Sequence, residues 1–233
     1  VRHRRAQEEI GPGVKGLFVT GTDTGVGKTR VAVALIHALR ARGLRVAAMK
    51  PVSAGSAPGE LNGDVTALLH AANVDSDLRD VNPYAFAEPV APHIAAEQAG
   101  VRIELDVIAE AYGRLAAVAD VVVVEGAGGW RVPLNERDDM ADLAQRLGLP
   151  VVLVVGLRLG SLNHALLTAE SIARRQLPWA GWVGNHIDPA MARQAENIVA
   201  LRVRLPDPCL GVHSFLHEES ASGAVLQWLS LPE

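Results

Sequence analysis

The sequence predicts an α/β fold: a single doubly wound domain with a mostly parallel sheet and helices on both faces. Apolar strand-like runs and helical patterns alternate about six times along the 233 residues, the order of a parallel sheet with crossover helices. Runs such as Val121-Val122-Val123-Val124 are apolar at every position, which suits strands covered on both sides. The third observation is local. The apolar run Gly16 to Thr20 leads into Gly21-Thr22-Asp23-Thr24-Gly25-Val26-Gly27-Lys28-Thr29, and a helical pattern follows. Strand, glycine-rich turn, Gly-Lys-Thr and helix is the layout of a phosphate-binding loop (P-loop).

The loop's residue types suit its chemistry. Glycines let backbone N–H groups face phosphate oxygens with no Cβ in the way. The following helix offers unpaired N–H groups and a positive dipole end. Lys28 can reach the β- and γ-phosphates, and the Thr29 hydroxyl can ligate Mg²⁺. The strict pattern asks for Gly at position 22; this chain has Thr22, with the glycine one residue earlier at Gly21.

Thr29 to Arg42 reads as a helix, with Val31, Leu35 and Leu39 at four-residue spacing and Gly43 as its stop. A second strand, Leu44 to Met49, ends in Lys50-Pro51-Val52-Ser53-Ala54-Gly55. Lys50 is either a solvated turn lysine or one facing ligand at the carboxyl edge of the sheet. Residues Ser56 to Asn62 form a Pro/Gly loop, and Gly63-Asp64-Val65 opens a helix. Asp64 fits an N-cap or a Mg²⁺ ligand, and the pattern leaves both open. Asp75 to Pro92 reads as irregular, with Pro83, Pro89 and Pro92, and His93 as structural. A helix spans about Glu104 to Val118.

The strand Asp120 to Val124 closes on Glu125-Gly126-Ala127-Gly128-Gly129-Trp130. A carboxylate after four buried valines needs a partner, and beside a phosphate-binding loop it can bind Mg²⁺. A helix over Asp138 to Leu147, a strand over Pro150 to Val155 and a helix from Ser161 to Arg174 follow. Asn163, in that helix's first turn, taken alone suits a cap or the surface. Trp179 to Asn185 is a strand with His186 beyond it, Met191 to Leu201 a helix, Leu210 to His213 a short strand, and Glu219 to Leu229 the last helix. Gly21, Lys50, Glu125 and Asn185 all close strands, where one site can collect them.

Composition narrows the function. Hydrophobic residues make up 49% and aromatics 4%, so the core is aliphatic, and mean hydropathy is +0.17. A net charge of −4 favours neither nucleic acid nor an anionic membrane surface. The lone Cys209 excludes an internal disulfide and fits a reducing, cytoplasmic setting. The longest apolar run, Leu149 to Leu157, is too short to span a bilayer. Residues 1–15 carry Arg2, Arg4 and Arg5 without an apolar core, so they read as a flexible leader rather than a secretory signal, leaving residues 16–233 as the domain.

Several separated motifs together resemble the dethiobiotin synthetase family, from about Leu17 to about Leu229. They are the loop Gly21 to Thr29, Lys50-Pro51-Val52, Val81-Asn82-Pro83-Tyr84, Pro92-His93, Val124-Glu125-Gly126-Ala127-Gly128-Gly129, Leu162-Asn163-His164, and Ala180-Gly181-Trp182-Val183 ahead of Asn185. The resemblance implies a P-loop enzyme that closes 7,8-diaminopelargonate with CO₂ (or bicarbonate) and MgATP into the cyclic urea of dethiobiotin. It assigns the triphosphate to Thr24, Gly25, Val26, Gly27 and Lys28, counts Thr29 and Arg30 with them as nucleotide-binding, and assigns Mg²⁺ to Thr29, Asp64 and Glu125. It makes Lys50, Lys28 and Thr24 catalytic. Gly126, Ala127, Gly128 and Gly129 then line the junction of nucleotide and substrate. Asn185 and His186, with His213, Ser214 and Phe215, belong to the base. Lys50, Ser53, Ala54 and Gly128 belong to the diamine, and Asn163 holds its carboxylate across a homodimer interface.

Three features depart from the family pattern. Ala54 replaces a hydroxyl residue, with Ser53 before it; His213-Ser214 replaces Ile-Pro; and Gly25 stands where some members have Glu. The rival reading, a partitioning-type switch ATPase, expects a signature lysine where this chain has Asp23.

Overall fold

The computed structural model describes residues 16–56, 59–214 and 228–232. The leader expected over residues 1–15, Phe215 and most of the expected last helix lie outside the described residues. In chain order the first elements are β1 (Gly16–Gly21), α1 (Lys28–Ala41), β2 (Val46–Met49), β3 (Val52–Ala54), α2 (Gly63–Ala71), α3 (Leu78–Val81), β4 (Tyr84–Phe86) and α4 (Pro92–Gln98). There follow α5 (Leu105–Val118), β5 (Val121–Glu125), α6 (Met140–Leu147), β6 (Val151–Leu157), α7 (Ser161–Arg174), β7 (Trp179–His186), α8 (Gln194–Arg204) and β8 (Cys209–His213).

Six strands form a parallel sheet in the order β2-β5-β1-β6-β7-β8. Side chains of a strand alternate between faces, and here both faces are covered. Val151, Leu153 and Val155 of β6 join one apolar cluster, with Ile108 and Leu115 of α5, Leu143 of α6 and Ile172 of α7. Val152 and Val154 join the other, with Val31, Leu35 and Leu39 of α1 and Leu68 of α2. This two-sided burial explains why the strands read as continuous apolar runs. The chain leaves β1 between β5 and β6, so the loop Gly21 to Thr29 lies where the sheet's connections diverge, at the carboxyl edge.

Leu153 is fully buried in the central strand β6. Leu153→Ala is expected to lower unfolding stability by about 2–5 kcal/mol, the cost of lost burial plus a cavity. The shift should appear in the denaturant midpoint with an unchanged slope.

The segment expected to be irregular, residues 75–92, holds α3 and β4, and α4 begins at Pro92. Strand β4 pairs in parallel with β3, Val52 opposite Tyr84. Elements of three or four residues are too short to show a period. Helix α8 begins at Gln194 rather than Met191, because Arg193 has a left-handed φ of 55°. The expected last helix does not reach Leu229, which bridges antiparallel to Gly211, while the Ser230 N–H donates to the Leu210 carbonyl at 2.6 Å.

Candidate active site

Sheet register builds the centre of the site. Met49 of β2 pairs with Val124 of β5, so Lys50 and Glu125 stand side by side one step further on. They share the face of Ala48 and Val123, which α1 and α2 cover. Lys50 Nζ lies 2.5 Å from Glu125 Oε1. The covering helices add Thr29 from α1 and Asp64 from α2. Lys50 Nζ is 2.9 Å from Asp64 Oδ2, and Thr29 Oγ1 is 2.8 Å from Asp64 Oδ1 and 2.9 Å from Glu125 Oε1. The two readings of Asp64 separate here: Asn62 caps α2 by accepting from the Asp64 N–H, and the Asp64 carboxylate turns to Lys50 and Thr29.

Burial and charge compete at this centre. Lys50 is 4% exposed and Glu125 0%. Burial depresses the Lys50 ammonium, but Glu125 and Asp64 outweigh it and hold its pKa above the ordinary value. Burial pushes Glu125 upward; Lys50 opposes this, Asp64 adds to it, and the net direction is up. For Asp64, burial is outweighed by Lys50 and the Thr29 hydroxyl, and the carboxyl is lowered. Lys28 is pushed down to about 8, first by burial and then by the Lys50 charge. Two buried lysines side by side make a site that favours an anion.

The loop is held from several sides. Thr22 uses its hydroxyl to accept from the Gly156 N–H at 3.3 Å, and its own N–H donates to the Val154 carbonyl. A glycine at position 22 could not tie the loop to β6 in this way. Asp23 accepts from the Thr24 N–H at 2.7 Å and pairs with Arg158 at 2.5 Å, while its carbonyl accepts from Lys28 Nζ at 3.0 Å. Gly27 opens α1 with φ 89° and no side-chain cap, leaving first-turn N–H groups for an anion.

A cleft of about 630 Å³ opens over this centre. It brings together Thr24, Gly25, Gly27, Lys28, Thr29, Lys50, Ser53, Ala54, Asp64, Glu125, Ala127 and Gly128 of the expected site. Gly128, at φ 63°, has Val132 against it: a Cβ there would come within 2.6 Å of Val132 Cγ2. Ser53 lines the cleft, but its hydroxyl donates to Asn82 Oδ1 at 2.9 Å.

Other expected residues stand elsewhere. Gly126 lies just beneath, its carbonyl 3.5 Å from Lys50 Nζ. Val26 is buried, and Arg30 and Asn163 are exposed, outside the cleft lining. Asn185, His186, His213 and Ser214 also lie outside it. Asn185 is buried behind the loop, its Nδ2 donating to the Val26 carbonyl at 2.8 Å.

Sequence reasoning missed Asn62, Val132 and the wall Pro89 to Pro92, which also line the cleft. It missed the part played by Asn82, which donates to the Lys50 carbonyl at 2.6 Å and so clamps the turn after β2. The paired prolines at 89 and 92 were the available signal for the wall.

A family model described as an AAA domain matches residues 15–218. The ATP-dependent dethiobiotin synthetase of Nitrosospira multiformis is 55% identical over 198 residues, covering 85% of this chain and 87% of the relative. That of Pseudomonas aeruginosa (strain UCBPP-PA14) is 51% identical over 218 residues, covering 92% and 95%. The chain belongs to the ATP-dependent dethiobiotin synthetase family. Solved structures agree on the fold alone. The septum site-determining protein of Pyrococcus horikoshii, complexed with Mg-ADP, has a TM-score of 0.55 at 16% identity, covering 85% of this chain and 80% of that one. The signal recognition particle 54 kDa protein of Aeropyrum pernix, in complex with GDP, has a TM-score of 0.51 at 19% identity. This chain covers 43% of that structure's length, and 90% of its own is matched. Asp23, where a partitioning-type ATPase would carry its signature lysine, has its carboxylate paired with Arg158.

Proposed function

We propose that the chain is an ATP-dependent ligase that carboxylates 7,8-diaminopelargonate and closes it to dethiobiotin, releasing ADP and phosphate. The relatives' names support this reading. The observation that carries it is Lys50, buried between Glu125 and Asp64 beside the phosphate-binding loop. One amine takes up CO₂ as a carbamate. A carbamate oxygen attacks the γ-phosphorus and ADP leaves. The second amine attacks the carbonyl carbon of the resulting carbamic–phosphoric anhydride, expels phosphate and closes the ring.

In this reading Lys28, Thr24 and the loop N–H groups hold the triphosphate, and Lys50 follows negative charge as it passes from carbamate to phosphate. Both act by position and electrostatics. Thr29, Asp64 and Glu125 fit Mg²⁺. Glu125 Oε2 is buried with no hydrogen-bond partner among the described residues, and Mg²⁺ takes one or two carboxylates with phosphate oxygens and waters. Among the described residues no three or more His, Cys, Asp and Glu are arranged to hold a metal ion by themselves, so this donor set relies on the nucleotide to complete it. When bound, the ion neutralises β- and γ-phosphate charge. Asn185 and its neighbours serve the base.

Purified chain given diamine, bicarbonate and MgATP is expected to release one phosphate per dethiobiotin formed. Absence of diamine-dependent ADP would sink the reading; ATP turnover stimulated by a partner or surface instead would favour a switch ATPase.

The chain is further proposed to work as a cytoplasmic homodimer. No helix among the described residues is long and apolar enough to cross a membrane. Asn163 is exposed on α7 beside Leu159, 94% exposed, and Leu167, 58% exposed. This face suits a second copy, with Asn163 serving the neighbouring cleft. Asn163→Ala is expected to raise KM for the diamine by at least about tenfold, as loss of a charge-assisted hydrogen bond does, with kcat for bound substrate little altered. Full activity from a species that sediments as a monomer would refute the shared site.

A further inference from the structure

Asn185 of β7 and His213 of β8 are paired in register, and both are buried. The Val26 carbonyl fixes the orientation of the Asn185 amide, because it can only accept and takes an N–H from Nδ2 at 2.8 Å. The amide oxygen therefore faces His213, whose Nδ1 lies 3.1 Å away. That oxygen can only accept, so the imidazole carries its proton on Nδ1. Trp228 meets the imidazole edge-on, with ring centroids 4.7 Å apart. Gly27 closes the other side: even a Cβ there would lie 2.2 Å from Nδ2. The amide has little room to turn over.

We propose that His213 is a specificity-determining residue, holding Asn185 as a hydrogen-bond donor toward the nucleotide base and weakening selection for the 6-amino group of adenine. The inference rests on the nucleotide reading above, in which Asn185 meets the base. His213 occupies one of the two lone pairs of Oδ1 and so competes with an amino group for that oxygen. Asn185 then offers the base the second N–H of Nδ2. A purine accepts it at N7, whether position 6 carries an amino group or an oxygen. An aliphatic side chain at 213 would free Oδ1 to accept from the amino group and so to prefer adenine. Burial, then the charges of Arg30 and His186, hold the His213 pKa below its usual value, so the ring stays neutral and its single proton is the one given to Asn185.

The test compares ATP, ITP and 7-deaza-ATP in the diamine-dependent reaction, and ADP with IDP by calorimetry, on the full chain and on His213→Ile. For the parent, ATP and ITP are expected to agree within about threefold, and 7-deaza-ATP to be about tenfold poorer in kcat/KM, the scale of one hydrogen bond. In H213I the preference for ATP over ITP, and for ADP over IDP, should rise about tenfold. A parent preference for ATP above tenfold, indifference to N7, or an unchanged ratio in H213I overturns the proposal. The parent measurements stand if H213I does not fold. The calorimetric ratio needs no turnover, so a chain that binds nucleotides as expected but makes no dethiobiotin refutes the proposed reaction and not this assignment.

Discussion

Lys50→Gln is expected to lower kcat by about 10³-fold, the usual scale for removing one preorganised donor from developing charge. ATP binding should persist, because Lys28 and the loop N–H groups remain. The structure adds a second expectation. Glu125 is fully buried and Lys50 is its ion-pair partner at 2.5 Å. Removing one member of a buried pair costs about 3–5 kcal/mol, because the other charge is left unpaired. K50Q should therefore unfold earlier than the parent, and K50Q/E125Q should recover much of that stability without recovering turnover. Rapid-quench kinetics and denaturant unfolding on the three proteins separate the two effects. A K50Q enzyme with kcat within tenfold of the parent would remove Lys50 from the reaction. Equal stability of K50Q and the parent would contradict the ion pair.

The second large effect belongs to Gly27. Its φ of 89° is left-handed, which costs an ordinary L-residue about 1–2 kcal/mol. A Cβ would also press on the Asn185 amide from 2.2 Å, and that amide is tied to Val26 and His213. Gly27→Ala must either twist the loop or push Asn185 off both partners. The expected result is a loss of ADP affinity of at least about thirtyfold, on the scale of that strain plus one hydrogen bond, with the sheet intact. Calorimetry with ADP and circular dichroism check both halves. Parent-like affinity would mean that the loop tolerates a side chain where the geometry leaves no room.

The expectations that held share a physical cause. Strands buried on both faces carry apolar runs, Val121 to Val124 in β5 and Val151 to Val155 in β6, so both stand out from the chain without help. The convergence of Thr29, Lys50 and Glu125 was legible because Lys50 and Glu125 close neighbouring parallel strands and Thr29 lies in the first turn of the helix that covers them; whether Lys50 faces ligand was open in the residues alone. Asp64 was ambiguous in sequence because an acidic residue at a helix start serves equally as cap or ligand; Asn62, two residues earlier, takes the cap and frees it.

What escaped depends on contacts that no local pattern carries. Asn82 grips the Lys50 carbonyl from 32 residues away, through the three-residue pairing of β3 with β4. The wall Pro89 to Pro92 reaches the cleft by the same route. The hydrogen bond between Asn185 and His213 joins two strand ends, yet it needs the Val26 carbonyl to orient it. The role proposed for Asn163 rests on a second chain.

In the proposed reaction a carbamate oxygen meets the γ-phosphorus within reach of Lys50. Single-turnover reaction with ¹⁸O-labelled CO₂, quenched before exchange with water, follows that oxygen. One labelled oxygen is expected in each phosphate released together with dethiobiotin. Phosphate without label, at full dethiobiotin yield, would contradict it.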